Sequence, residues 1–429
     1  MDRLRGGANM TDSVSSVQPS SPVQITSAAG THLKGPRLES IDILRGLVMI
    51  VMALDHSRDF FSLAQMHFSP TDIAMTTPAY FITRWITNIC APVFIFLAGM
   101  GMSLSSKQDP TRRSSFLVTR GLWLLFLQVT VMNMLWFFND DLTQFVRLNV
   151  LWAIGWSMIF LAAVAYLPRW AMWMVAIGLI CGHNLLDGIS PQTFGGFGWI
   201  WIFLYSGGVL SPWEGMTLHV LYPLVPWVGV ITLGYLMGTW TKSKAKPRRA
   251  FIGMGLGLFT LAFLLRVGNI YGNPTPWKIW PETWRTVADF ANGLKYPPSL
   301  LYLGLCLAPL IVMLGVFLER RFGLLGRVVA TFGQVPFFYY VLHIFLLHLM
   351  AVIYFKLRFG QCGWLLTDPT PTGLLPWSEI AVPPGIYQPG WDLPQTYIAW
   401  LVALVLLYPL CQWFAQLKTH RNDWWLSYL

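Results

Sequence analysis

Apolar residues occupy the chain in long blocks broken by short polar or basic segments. A block of about 20 mostly apolar residues is what a helix needs to cross the hydrocarbon core of a bilayer. Such blocks are expected to span at 41–61, 79–104, 115–138, 148–167, 170–187, 218–240, 250–268, 299–318, 334–355 and 396–417. The stretch 197–210 is apolar but short and Gly-rich, and reads as a re-entrant or interfacial piece. The predicted fold class is therefore an all-α polytopic membrane protein of about ten transmembrane helices, eleven if 197–210 crosses.

Composition agrees. Hydrophobic residues make up 55% of the chain and charged residues 11%, whereas a soluble domain carries roughly 25% charged residues. So few charges cannot keep a water-facing surface of this size wet, which excludes a soluble or a disordered protein. The net charge of +10 does not require nucleic acid, because Lys and Arg gather in the cytoplasmic loops of membrane proteins. The densest run, Lys242, Lys244, Lys246, Arg248 and Arg249, falls between expected spans six and seven, which puts both termini in the cytoplasm. Residues 1–36 read as a flexible cytoplasmic tail, 37–421 as the membrane domain and 422–429 as a cytoplasmic end. Cys90, Cys181, Cys306, Cys362 and Cys411 have no metal-ligand spacing, and no metal site is expected. The outer loops, about 56–78, 188–217, 269–298 and 356–395, are long and rich in Trp, Pro and Gly. Trp277, Trp280, Trp284, Trp377 and Trp391 read mainly as an interfacial belt, with sugar stacking as the alternative.

An ionisable group at bilayer depth is costly and needs a reason. In the first block Asp42, Arg45, Met49, Met52, His56 and Asp59 recur at helical spacing and form one stripe. Arg45 and His56 are eleven residues apart, roughly 16 Å at 1.5 Å per residue. That span is comparable to an extended pantetheine arm, so Arg45 could hold a pyrophosphate while His56 meets a thioester. Asp42 and Arg45 read equally well as an i,i+3 ion pair at the inner interface. Asp55 or Asp59 is expected to orient His56. His343 lies within a helical turn of Tyr339 and Tyr340, whereas His348 sits at i+5 and makes a poor metal pair with it. Arg84, Asn88, Gln128, Asn133 and His183 are further polar groups inside spans; Arg84, Asn133 and His183, in outer halves, suggest a wet cavity opening outward.

The first block opens with Arg37-Leu-Glu-Ser-Ile-Asp42-Ile-Leu-Arg45-Gly46 and ends on Asp55-His56; Ala91-Pro92-Val-Phe-Ile-Phe-Leu-Ala-Gly99 lies in the second. This resembles the bacterial relatives of heparan-alpha-glucosaminide N-acetyltransferase, within a wider group of transmembrane acyltransferases. The likeness is strongest over 37–106 and is supported by Phe338-Tyr339-Tyr340-x-x-His343. It implies an enzyme of the bacterial cytoplasmic (inner) membrane. Such an enzyme moves acetyl from cytoplasmic acetyl-CoA to an amino sugar or other glycan on the periplasmic side, through a histidine near the outer end of the first span. The matching residues are Asp55 and His56. The lysosomal enzyme has Asn in place of Asp55, and its reactive histidine lies further into the following loop, where His67 is the counterpart by offset. His56 is preferred, because His67 sits in a loop expected to vary.

On this reading Arg45 and Asp42, helped by Arg112, Arg113 or Arg120, hold the nucleotide. His56 acts as base or nucleophile, Asp55 or Asp59 orients it, and Asn88, Arg84, Tyr340 and His343 face the substrate or the oxyanion. The partners implied are acetyl-CoA, a glycan or amino-sugar acceptor and membrane lipids, with a homodimer allowed. The rival reading is a transporter or flippase for a lipid-linked or acylated substrate; against it, no repeat relates the two halves. A reporter fused at residue 245 should report the cytoplasmic side, and an external signal there would invert the topology.

Overall fold

The computed structural model describes residues 39–62, 68–105, 109–138, 141–243, 248–318, 320–366, 392–421 and 423–427. They form a mostly helical bundle. Seven helices are long and apolar enough to cross a membrane: Pro78–Leu104, Pro110–Phe137, Leu224–Lys242, Arg248–Val267, Leu300–Phe317, Pro336–Phe359 and Leu393–His420. A further pair, Arg169–Leu186 and Pro191–Ser206, is apolar enough but bent by 104°, the geometry of a broken span or a re-entrant loop. The piece expected to be re-entrant or interfacial is the second arm of this pair. The two remaining expected spans are helical but differ in kind. Helix α1 (Glu39–Phe61) carries Asp42, Arg45, Asp55, Arg58 and Asp59, and Val150–Val164 has only 15 residues.

Two departures from the predicted pattern matter for the site. The first is a small sheet in a chain expected to be all-α. Strand β1 (Phe145–Leu148) pairs parallel with β3 (Thr217–Val220), which pairs antiparallel with β2 (Gly208–Leu210). Span six was expected from 218, but 217–220 is strand and the helix begins at Leu224. Tyr222 precedes Pro223, and a residue before proline is pushed away from helical geometry. The second departure is a break at Asn88, between Pro78–Thr87 and Cys90–Ser105. Pro92 has no N–H to give to the Asn88 carbonyl, and the Tyr302 hydroxyl donates to it instead at 2.8 Å.

Helix α1 is the axis of the fold. It packs against the helices Cys90–Ser105, Leu324–Gln334, Pro336–Phe359 and Asp392–His420. Its crossing with Leu324–Gln334 is backbone on backbone. A Cβ at Gly46 would lie 1.9 Å from the Val329 carbonyl oxygen, and one at Gly333 would lie 1.8 Å from that of Asp42. No side chain fits at either point. Gly333→Ala should therefore lower stability by about 1–3 kcal/mol through overpacking, read as a lower melting temperature in detergent; an unchanged melt would mean that the crossing is loose.

Candidate active site

The C-terminal end of α1 is a hub of buried charge. Oδ1 of Asp55 accepts from Arg84 Nη1 at 2.5 Å, Thr87 Oγ1 at 2.7 Å and Arg58 Nη2 at 3.1 Å. Arg58 also donates to Asp59 at 2.8 Å. Lys295 Nζ lies 4.0 Å from the other Asp55 oxygen. Three separate segments, α1, Pro78–Thr87 and the 269–298 loop, are thus held by one carboxylate.

His56 sits beside this hub but does not bond to it. Its Nδ1 is 2.6 Å from Nε2 of His343, so its ring partner is His343 and not Asp55 or Asp59. His343 is fully buried, and its Nδ1 lies 2.9 Å from the Tyr339 carbonyl oxygen. A carbonyl only accepts, so this Nδ1 carries the hydrogen. In a neutral ring Nε2 is then an acceptor, and His56 Nδ1 must be the donor. The bond pattern therefore leaves His56 with an unprotonated Nε2. Trp136 stands edge-on to the His56 ring at 5.0 Å, and Tyr340 flanks it at 6.5 Å.

A cavity of about 760 Å³ opens beside His56. Asp55, His56, Asp59, Arg84, Asn88 and Tyr340, all anticipated from sequence, line it. Asn88 is buried, and its Oδ1 has no hydrogen-bond partner. Arg147 and His219, paired in register across β1 and β3, line the same space. Two amides inside a spanning helix hold that strand. Gln128, in a π turn, donates to the Arg147 carbonyl at 2.9 Å. Asn133 donates to the Phe145 carbonyl at 2.9 Å and accepts from the Arg147 N–H at 3.0 Å. Burial pulls the Arg147 guanidinium down to about 10, against the opposing pull of Asp59. The 269–298 loop forms another wall. Arg266 ties it down by donating to the carbonyls of Thr275, Asp289 and Phe290 at 2.7–3.0 Å.

Other anticipated residues lie elsewhere. Asp42 and Arg45 form the i,i+3 pair at 3.5 Å, and Arg45 also donates to the Gly333 and Leu97 carbonyls at 3.2 and 3.4 Å. Arg112 is exposed beside Asp109 at 3.5 Å. Arg113 donates to the Ala165 carbonyl at 3.2 Å, and Arg120 lies over the Phe116 ring. None of these five lines the cavity. The stripe between Arg45 and His56 is packed shut rather than open, because Met49 and Met52 are buried in the core. Asn133 and His183, expected to face water, serve as braces; His183 Nε2 meets the Pro298 carbonyl at 2.7 Å. His348 lies between the carbonyls of Leu135 and Leu365. Trp277 and Trp280 brace their loop through Arg266 and Asp289. His67, Trp377 and Trp391 lie outside the described residues, and among the described residues no cluster of His, Cys, Asp and Glu has the makings of a metal site. Sequence reasoning did not single out Thr87, Arg147, His219, Arg266 or Lys295 for the site.

The family model for heparan-alpha-glucosaminide N-acetyltransferase, catalytic, matches residues 37–267, just over half of the chain. The chain belongs to that family. It is thus a multi-pass membrane protein of an acetyltransferase family. The match includes α1, the Asn88 break and the strands that carry Arg147 and His219, and it stops before the loop that supplies Lys295. No curated protein gives a significant match.

The hub makes a stability prediction. Asp55→Asn would leave Arg58, Arg84 and Lys295 short of a counter-charge, so it should cost about 3–5 kcal/mol, the usual loss when a buried pair is broken. Denaturant unfolding in detergent measures it; a loss within about 1 kcal/mol would be that of a solvent-exposed pair.

Proposed function

We propose that the protein transfers the acetyl group of acetyl-CoA to an amino sugar or other glycan in the cavity, with His56 as the reactive base. The observation that carries this reading is the His56–His343 pair. It directs the His56 hydrogen inward, to His343, and leaves the lone pair of Nε2 free on the ring that lines the cavity. An acceptor N–H or O–H would give its proton to that nitrogen as it attacks the thioester carbonyl. The tetrahedral oxyanion would be met by a donor such as the Asn88 amide, and collapse would release coenzyme A with the proton returned to sulfur. His343 acts through His56 as a positioning residue, and the Asp55 hub fixes the helix end on which His56 stands.

Acetyl-CoA is proposed to approach from the Arg45 end of α1, on the cytoplasmic side, with the acceptor on the periplasmic side of a bacterial inner membrane. Met49 and Met52 would have to yield to the thioester arm. Methionine suits that task, because its unbranched side chain repacks at low cost. Family membership favours transfer over the transporter alternative.

The test is acetyl transfer by purified protein in proteoliposomes. His56→Ala should abolish turnover while the protein still folds and binds acetyl-CoA. His343→Ala should lower kcat by about 10²-fold or more, the scale of a general-base contribution, with little change in KM. Turnover by His56→Ala at the wild-type rate would refute the assignment and turn attention to His67.

A further inference from the structure

Charge around the cavity is not balanced. Among the described residues, five Lys and Arg side chains and three carboxylates line it. Most of the cations are committed. Arg58 and Arg84 are held by Asp55 and Asp59, and Arg266 donates to three backbone carbonyls.

Lys295 differs. It is 8% exposed and its Nζ approaches Asp55 at 4.0 Å, beyond hydrogen-bond distance. The ammonium also lies 5.3 Å from the Tyr296 ring. It makes no hydrogen bond among the described residues, although it carries three donors. The ammonium is reachable from the cavity, so an anionic group there can take its unspent donors in place of water. The residue lines the same cavity as His56 and Arg147.

We infer that Lys295 is a specificity determinant that binds an anionic group, a carboxylate, phosphate or sulfate, on the acceptor that His56 is read to activate. The inference rests on the reading of this cavity as an acceptor site. One feature favours the acceptor over the coenzyme as source of the anion: Lys295 stands at the opposite end of α1 from Arg45, and it is near Arg45 that the nucleotide is proposed to bind.

Binding separates this inference from catalysis. Affinities of N-acetylglucosamine 6-phosphate, N-acetylglucosamine and coenzyme A would be measured by calorimetry on the full chain in detergent, without turnover. The wild-type protein should bind the phosphorylated sugar at least tenfold more tightly than the neutral one, as expected for a charge-assisted contact. Lys295→Met should erase that preference and leave coenzyme A affinity within about twofold. Lys295→Arg, which keeps the charge, should retain most of it and guards against a folding artefact. Equal binding of the two sugars by the wild-type protein would overturn the proposal. So would a preference that survives in Lys295→Met, or a loss confined to coenzyme A, which would assign the cation to the donor's phosphates. Failure of acetyl transfer alone, with the binding preference intact, would refute the proposed reaction and not this site.

Discussion

The site depends on one carboxylate. Asp55 gathers Arg58 from its own helix, Arg84 and Thr87 from the following segment and, at longer range, Lys295 from a loop more than two hundred residues away. Charges taken out of water are tolerated only when they answer one another. The geometry of the α1 terminus is therefore over-determined: removal of the carboxylate would leave several cations short of a partner at once. His56 follows Asp55 directly in the chain, so its backbone is held by a framework to which its ring contributes no bond, while the ring itself is held by His343.

Two irregularities of the helices bear on the same cavity. The break at Asn88, imposed by a proline four residues on, leaves an amide on the cavity wall. The π turn at Gln128–Met132, with Asn133 directly after it, brings two side-chain amides against a strand. That strand and its neighbour set Arg147 and His219 side by side. A regular helix bonds its own backbone and offers nothing to a neighbour. Where the helix is interrupted, backbone and amide groups are released to hold other elements. Here these two interruptions serve the pocket.

Much of this was legible in the chain. Apolar blocks located most of the helices, and the cost of charge in lipid picked out Asp55, His56, Asp59 and Arg84. The i,i+3 and i,i+4 spacing of Tyr339, Tyr340 and His343 marked the helix that supplies the partner of His56. What hydropathy could not reveal was pairing. Nothing local says that His56 meets His343, or that Asn133 and Gln128 hold a strand instead of facing water. The sheet was missed because four-residue strands beside long apolar runs leave no clear alternation. A neglected signal existed for the other cations. Arg58, Arg147, Arg266 and Lys295 all fall in segments that the charge count assigns to the side from which basic residues are ordinarily depleted, and all four line the cavity. A cation on that side needs a local reason, and here the reason is the pocket.

The buried pair Met49 and Met52 bears on the energetics of the host membrane. An enzyme that handles reactants on both faces of a bilayer risks becoming a leak for protons and small ions. A thioether plug carries no strong acceptor through which a water wire could conduct. With the backbone of α1 locked against Leu324–Gln334 at Gly46 and Gly333, admission of an acyl arm would fall to side-chain rotation rather than to movement of the helix. On the proposed reaction, acetyl transfer would then leave intact the electrochemical gradient that the membrane stores.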